Sequence, residues 1–433
     1  MFRRCVESNW FLIFSVLIGM FLIVSGYAFS ITSEKVVAEE KKEIPTMKIS
    51  LEGTSLAEVQ ENGKNVKYEG NEVEIVEGEE ILDFSNVEFK GHGNFSWNAE
   101  KKSYRIKFEK KVDLFGMGKS KKWLLIANSV DDSLIRNDLA YFMAGYFEND
   151  FQGTGEFINL EIDGEDLGVY YLLPVIEISK SKVDLRDELG VLVEVDNVYC
   201  EQEERWWRAK NGDCLTVKDS VMEENTEEAM KKFLEAYNKM VKAIAKKDFE
   251  AVSEVIDIQS FAEYFIMSEF TSNPDAYVTS WYLYKDGEGD KIHAGVVWDF
   301  DAAFGNKSWG KHSEEFYSPE TGWARFREMY GKNELGEFDK SQLKIETSLN
   351  VSFVIYDLCK MPEFLEVAKE VYLRDFRDRK EEIIDYIYQR AEEISEAAER
   401  DAEIWEKGSF REGIEYLVDW IERRFEFFNE EML

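Results

Sequence analysis

Histidine and cysteine are scarce in this chain: three histidines and four cysteines among 433 residues. None of the histidines is spaced with the thiols in the way structural zinc requires, which excludes a zinc cluster. Positive charge is also in deficit, with 53 Lys and Arg against 88 Asp and Glu and a formal net charge of −35. Nucleic-acid phosphates are bound by positive surfaces, so a nucleic-acid partner is excluded, while a basic protein partner is permitted. Proline numbers only five, and no internal repeat is evident. What is present is an apolar content of 44% with 14% aromatics, ample for a globular fold. The length exceeds what one hydrophobic core usually serves, which favours two lobes.

One long stretch carries no charge. Trp10 to Ile31 spans 22 residues and follows Arg3 and Arg4, so residues 1–31 read as a signal peptide or signal-anchor helix. Gly26-Tyr-Ala28 offers a small-x-small cleavage site. The expectation is an exported protein, either single-pass and membrane-anchored with an extracellular domain or secreted after cleavage near Ala28. Residues 32–44 are polar and unpatterned, as a linker is. Outside the cell, Cys200 and Cys214, flanked by extended runs, suit a disulfide that closes a hairpin. Cys359, in an apolar helical context, reads as a buried free thiol.

From Met47 to Phe108 short alternating segments are separated by Gly and Asn, the pattern of a largely antiparallel sheet. Trp123 to Ala127 reads as a buried strand, and Asp132 as the cap of a helix running to Ala144. Phe157 to Tyr171 reads as a hairpin turning at Asp163-Gly164. Beyond Asn225 the period becomes helical: Phe233–Ile244, Ile258–Phe270, Val354–Tyr372, Glu382–Glu406 and Gly413–Phe428. The expected class is α+β, with a β-rich N-terminal lobe over 45–220 and a helical C-terminal lobe over 221–433.

The densest chemistry lies at 271–306. Asn273-Pro-Asp275 precedes an apolar run (Val278–Tyr284), a Gly-containing acidic turn (286–290), a second apolar run (Ile292–Val297) and then Trp298-Asp299-Phe-Asp301. Strand, turn and strand would bring the carboxylate before the hairpin to the pair after it, and an i, i+2 pair on extended backbone faces one side. Hard oxygen donors of this kind suit Mg²⁺ or Mn²⁺. Phosphoryl transfer uses the same economy of parts, one Asp near the acceptor hydroxyl and others on the metal. Read as bare residues, an Asn-Pro-Asp turn and a strand-end cap are the alternatives. Attack on glycans is a further class, but i, i+2 carboxylates do not oppose one another across a sugar ring.

The order of motifs over roughly 85–310 resembles the CotH family of atypical, spore-coat-type protein kinases. It comprises Gly91-His-Gly-Asn-Phe-Ser-Trp97, Lys101-Lys-Ser-Tyr-Arg-Ile-Lys-Phe108, Leu114-Phe-Gly-Met117, Lys122-Trp-Leu-Leu-Ile-Ala-Asn128, Ser133-Leu-Ile-Arg-Asn137, Gly168-Val-Tyr170, Glu194-Val-Asp196, Asn273-Pro-Asp275 and Trp298-Asp-Phe-Asp301. The resemblance implies a two-lobed, kinase-like fold lacking a glycine-rich phosphate loop, and the chain has neither Gly-Lys-Ser/Thr of a P-loop nor G-x-G-x-x-G. It implies ATP as co-substrate, a divalent metal, and transfer of the γ-phosphate to Ser or Thr of an exported or surface protein, which the acidity suggests is basic and Ser-rich. By motif, Asp275 takes the catalytic position, Asp299 and Asp301 the metal, and Lys102, Arg105 and Lys107 the nucleotide phosphates. Arg136 and Asn137 tie a helix into the lobe. The chain departs from the family pattern at Pro174, where Glu is usual, at His92 in place of Arg, and at Ser280 in place of Asn. Those departures keep open a catalytically impaired nucleotide- or protein-binding module of the same fold.

Overall fold

The computed structural model describes residues 43–94, 96–147, 153–310, 314–320 and 351–432. The apolar run at 10–31 lies outside them, as does most of the linker. Among the described residues no helix is long and apolar enough to cross a membrane.

Seven strands account for the first third: β1 (Thr46–Ser50), β2 (Tyr68–Glu77), β3 (Glu80–His92), β4 (Ser103–Asp113), β5 (Lys119–Ile126), β6 (Glu156–Ile162) and β7 (Glu165–Pro174). Every alternating run read from the sequence is a strand here, because period-2 patterning puts one face of each into a common core. Tyr104, Ile106 and Phe108 of β4 point inward with Phe89 of β3 and Trp123 of β5, all nearly inaccessible, while Arg105 and Lys107 point out. The expected kinase-like sheet is not what these strands form. They close into a barrel in the order β1-β2-β3-β4-β5-β7-β6. The reason lies in β1, which pairs antiparallel with β2 on one side and parallel with β6 on the other, joining what would have been two free edges. The β6–β7 turn is Asp163-Gly164, with φ of 52° and 81°, the double positive φ that a two-residue hairpin of this twist demands.

A second sheet has the order β12-β11-β8-β10-β9 and unites β8 (Val191–Val195), β9 (Trp206–Arg208) and β10 (Cys214–Ser220) with β11 (Trp281–Lys285) and β12 (His293–Ala294). Its strands come from both sides of the expected lobe division at 220/221, and Ile44–Leu433 form one compact unit. Central strands β8 and β11 are buried along their whole length.

Helices supply the rest. Near the start, α1 (Leu56–Asn62) opens with a Ser55–Glu58 capping box. α2 spans Arg136–Ala144, shorter than expected. Its start is held not by Asp132 but by Asp131, which accepts from Ser133 N at 2.9 Å and Arg136 N at 2.9 Å. Then follow α3 (Thr226–Ala245), α4 (Phe249–Ser253), α5 (Ile258–Phe270), α6 (Glu314–Tyr317), α7 (Val354–Leu358), α8 (Pro362–Val371), α9 (Lys380–Ile404) and α10 (Phe410–Met432). Pro362 sits at the first turn of α8, where its missing N–H costs nothing.

Barrel and C-terminal helices are clamped at one buried point. Asp401 of α9 accepts from Val169 N at 2.9 Å and pairs with the fully buried Lys101. A Cβ on Gly168 would lie 2.2 Å from Asp401 Oδ1, so only glycine admits that approach.

Candidate functional site

The Asn273–Asp275 segment leaves the end of α5 as a tight turn. Asn273 Oδ1 accepts from Asp275 N at 3.0 Å, and its Nδ2 donates to Asp299 O at 3.4 Å, so one side chain shapes the turn and holds the second carboxylate's backbone. The expected hairpin is present but shorter than its apolar runs: β11 begins at Trp281 and β12 is two residues long. On either side the backbone leaves strand geometry. Ser272, Tyr277, Ser280, Val296, Asp299 and Phe304 all have φ between 51° and 65°. Such conformations are uncommon for non-glycine residues, and for a β-branched Val they are outliers that neighbours must impose.

Val296 is packed among Leu192, Tyr282 and Tyr284, and the segment after Asp299 is held from α2. Asn137 Oδ1 accepts from Phe300 N at 2.7 Å, and Arg136 Nε donates to Ala303 O at 3.1 Å. Asn306 Nδ2 donates to Asp301 O at 2.6 Å and Val130 O at 2.8 Å. Arg136, Asn137 and Asn306 thus position the Asp299–Asp301 segment rather than touch a ligand. Phe300 and Phe304 are buried in the core.

The structure brings Asp275, Asp299 and Asp301 together. Burial, reinforced by the charges of Asp299, Asp275 and Asp131, pushes the Asp301 carboxyl well above the carboxylate range. Burial likewise raises Asp299, against a hydrogen bond from Ser280 Oγ to its Oδ2 at 3.0 Å. Burial and the charges of Asp275, Asp196 and Asp299 raise the Tyr199 phenol, which places Tyr199 beside the group. Crowded carboxylates with rising pKa values are the electrostatic signature of a site that lacks its counter-charge.

Among the described residues no three His, Cys, Asp or Glu side chains form a ready-made metal cage. This does not conflict with a magnesium-type ion, which is held by one or two carboxylates and completed by substrate phosphates and water. Asp299 and Asp301, neighbouring oxygen donors of which the first raises the second by repulsion, fit that role. A cavity of about 430 Å³ opens instead behind Tyr141, among Asp138, Glu156, Tyr171 and Arg390, and none of the three site carboxylates lines it.

A cation stands close by. Lys218 of β10 pairs with Glu194 of β8 at 2.6 Å, and Glu194 Oε1 accepts from Ser280 N at 3.0 Å. Burial would lower the Lys218 ammonium, but Glu194 outweighs it and the group is raised. Lys218 therefore connects, through Glu194 and Ser280, to Asp299. Sequence reading missed it; strand alternation marks it only as a lysine near an edge.

Of the residues expected to hold phosphates, Arg105 and Lys107 lie on the outer face of β4 around Glu88, at 2.7 Å and 3.9 Å. Lys102 is placed elsewhere. Its ammonium donates to Trp97 O at 2.8 Å and Ala99 O at 2.9 Å and lies over the Trp97 ring, closing the turn before β4. His92 is half-buried at the end of β3. Burial and the surrounding cations Lys90, Arg105, Lys64 and Lys218 push it down to about 3. Cys200 and Cys214 form a disulfide with Cα atoms 6.1 Å apart. The disulfide loop is sewn to the site, since Asn197 N donates to Val278 O at 2.8 Å and Asn197 Oδ1 accepts from Cys214 N at 2.8 Å. Cys359 is free and buried.

Fold and site together define a mixed α+β protein with an acidic, strained hairpin beside a lysine–glutamate pair. The family model described as CotH kinase protein matches residues 87–428, and the chain belongs to the CotH kinase family. It is similar to the inner spore coat protein H of Bacillus subtilis strain 168, with 22% identity over 248 residues, 54% of this chain and 62% of the relative. The chain thus covers less than two thirds of that relative's length.

Proposed function

We propose that this protein is a metal-dependent kinase that transfers the γ-phosphate of ATP to Ser or Thr hydroxyls of an exported protein. The observation that carries the reading is the convergence of Asp275, Asp299 and Asp301, close enough that the charges of Asp275 and Asp299 act on Asp301, on a hairpin whose far end is held in place from α2. In this reading Asp275 orients the acceptor hydroxyl and takes its proton as the oxygen attacks phosphorus. Asp299 and Asp301 hold the divalent ion, which when bound neutralises charge on the phosphates. Asn137 and Asn273 keep the two aspartate-bearing segments in register, and Lys218, fixed by Glu194, supplies a cation linked to Asp299 through Ser280. Family membership and the similarity to a spore-coat protein support an acceptor that is itself a protein, and the acidity of the chain supports a basic one.

The test is incubation of the full chain with γ-labelled ATP, Mg²⁺ or Mn²⁺ and a basic, Ser-rich peptide. Label on the peptide in the native chain, absent in Asp275→Asn, supports transfer. A second reading, a binding module that holds nucleotide without transferring, is favoured by Ser280. Its hydroxyl already occupies Asp299 Oδ2 where an amide would have offered the metal another oxygen. Metal-dependent ATP binding without label on any acceptor, the protein included, would establish that second reading.

A further inference from the structure

The outer face of β3 and β4 carries a charge arrangement that local stability does not explain. Lys90 and Arg105 are direct cross-strand partners, on the face opposite the buried Phe89 and Ile106. Like charges set opposite one another on a sheet destabilise it. Here the pair is half-buried as well, and burial, then Arg105 and Lys67, bring the Lys90 ammonium down to about 8.

Arg105 shares Glu88 with Lys67 and Lys107, through a contact of 2.7 Å for the guanidinium and 3.9 Å for each lysine. Its Nε lies buried with no hydrogen-bond partner. Lys90 has no hydrogen bond or ion pair among the described residues. The arrangement is also built deliberately close. A Cβ on Gly91, between Lys90 and His92, would fall 2.6 Å from the Lys64 Cα and 2.4 Å from the Trp97 ring. Glycine there admits the Lys64 backbone beside Trp97, and the Lys64 ammonium, which donates to Asn94, acts on Lys90 and His92. Four cations (Lys67, Lys90, Arg105 and Lys107) thus gather around Glu88, and a fifth, Lys64, acts on Lys90, in a chain whose net charge is −35.

The face also continues into the acidic hairpin. Lys218 acts on His92 from one side and is bound to Glu194 on the other, and Glu194 meets Ser280, which donates to Asp299. We infer that the face formed by Lys90, Arg105, Lys64 and His92 is the seat of a polyphosphate chain, that of the phosphoryl donor, with Lys218 as the step between it and Asp299. This rests on the kinase reading and moves the phosphate anchor from Lys102, whose ammonium is committed to two carbonyls, to a lysine that the motif comparison did not single out. The buried Arg105 N–H and the unpaired Lys90 ammonium are the donors the chain would receive; charge-assisted bonds to phosphate are among the strongest a side chain makes.

The experiment is calorimetry of the full chain, without metal, against inorganic tripolyphosphate, ATP and adenosine. Lys90→Met and Arg105→Gln should each weaken tripolyphosphate binding by tenfold or more, whereas Lys102→Gln should change it less than twofold and Asp299→Asn should not weaken it. Thermal unfolding of the same variants guards against misfolding: Lys90→Met, which removes one partner of a like-charge pair, should leave the melting temperature equal or higher, whereas Arg105→Gln also removes the ion pair to Glu88 and should lower it while the transition stays cooperative. Tighter binding of ATP than of tripolyphosphate identifies a nucleotide donor, equal binding identifies inorganic polyphosphate, and either supports the seat. Undiminished binding in both Lys90→Met and Arg105→Gln, or a loss confined to Lys102→Gln, overturns it. The two readings fail separately. Normal transfer in Lys90→Met and Arg105→Gln would sink the seat alone, and Lys90-dependent binding with no labelled acceptor would sink transfer alone.

Discussion

The barrel and the 271–306 hairpin are built on opposite terms. In the barrel, alternation is regular, every strand finds two neighbours, and the inward side chains, Trp123 and Phe89 among them, are sealed from water. In the hairpin, strand pairing fails after a few residues, six non-glycine residues adopt positive φ, and carboxylates are crowded against one another. The first region concentrates interactions that favour folding; the second spends them. That division teaches where stability and chemistry reside, because strain and like charge persist only where surrounding structure over-determines them. The regions also differ in charge: cations gather on the outer face of β3 and β4 and carboxylates at the hairpin, with Lys218 acting on His92 and paired to Glu194 between them.

The contrast is broken most severely at the hairpin. Asp275→Asn is expected to reduce phosphoryl transfer by about 10²-fold or more while sparing nucleotide affinity and melting temperature, since a positioned base is lost and volume is not. Turnover with γ-labelled ATP alongside calorimetry checks it, and unchanged turnover would remove Asp275 from the site. Trp123→Ala should do the reverse. Emptying the barrel core is expected to cost about 3–5 kcal/mol in denaturant unfolding, with nucleotide affinity of the folded fraction preserved.

Between these extremes lies Asn137→Ala, which leaves the Phe300 N–H without its acceptor. The expected cost is about 1–3 kcal/mol, accompanied by a loss of transfer out of proportion to the loss of stability. A variant that lost stability and kept full turnover would show that α2 does not position the aspartates.

The smallest effect concerns the buried clamp between barrel and α9. Burial, opposed by Asp401 and aided by Lys407, brings the Lys101 ammonium down to about 7, below the usual lysine value. Between that pH and the ordinary lysine range the unfolded chain holds the proton more strongly, so the native state gains stability as pH rises and levels off below about 7. Urea midpoints at pH 7 and 9.5 should rise with pH more steeply in the native chain than in Lys101→Met. Equal slopes would show that Lys101 stays charged throughout.

The strands of the barrel, the Asp163-Gly164 turn, helix α5 and the neighbourhood of Asp275, Asp299 and Asp301 were legible in the residues, because period, turn chemistry and short-range spacing are local properties of a chain. The start of α2 was read three residues too early, and the carboxylate that anchors it is Asp131 and not Asp132, since neighbouring Asp residues are equivalent until tertiary contacts choose between them. Barrel closure was invisible: it depends on β1 meeting β6 more than 100 residues away, and no pattern within β1 announces a second partner. Lys102 and Lys90 show the same limit from both sides. Each is a lysine in or next to a strand, yet the turn at Trp97 claims one ammonium, while the other, opposite Arg105, has no hydrogen bond or ion pair among the described residues. Sequence by itself determined which segments alternate, which turn and which carry carboxylates. Only the tertiary structure decided which charges face each other without compensation, because that depends on distances through space and on the water each group has lost.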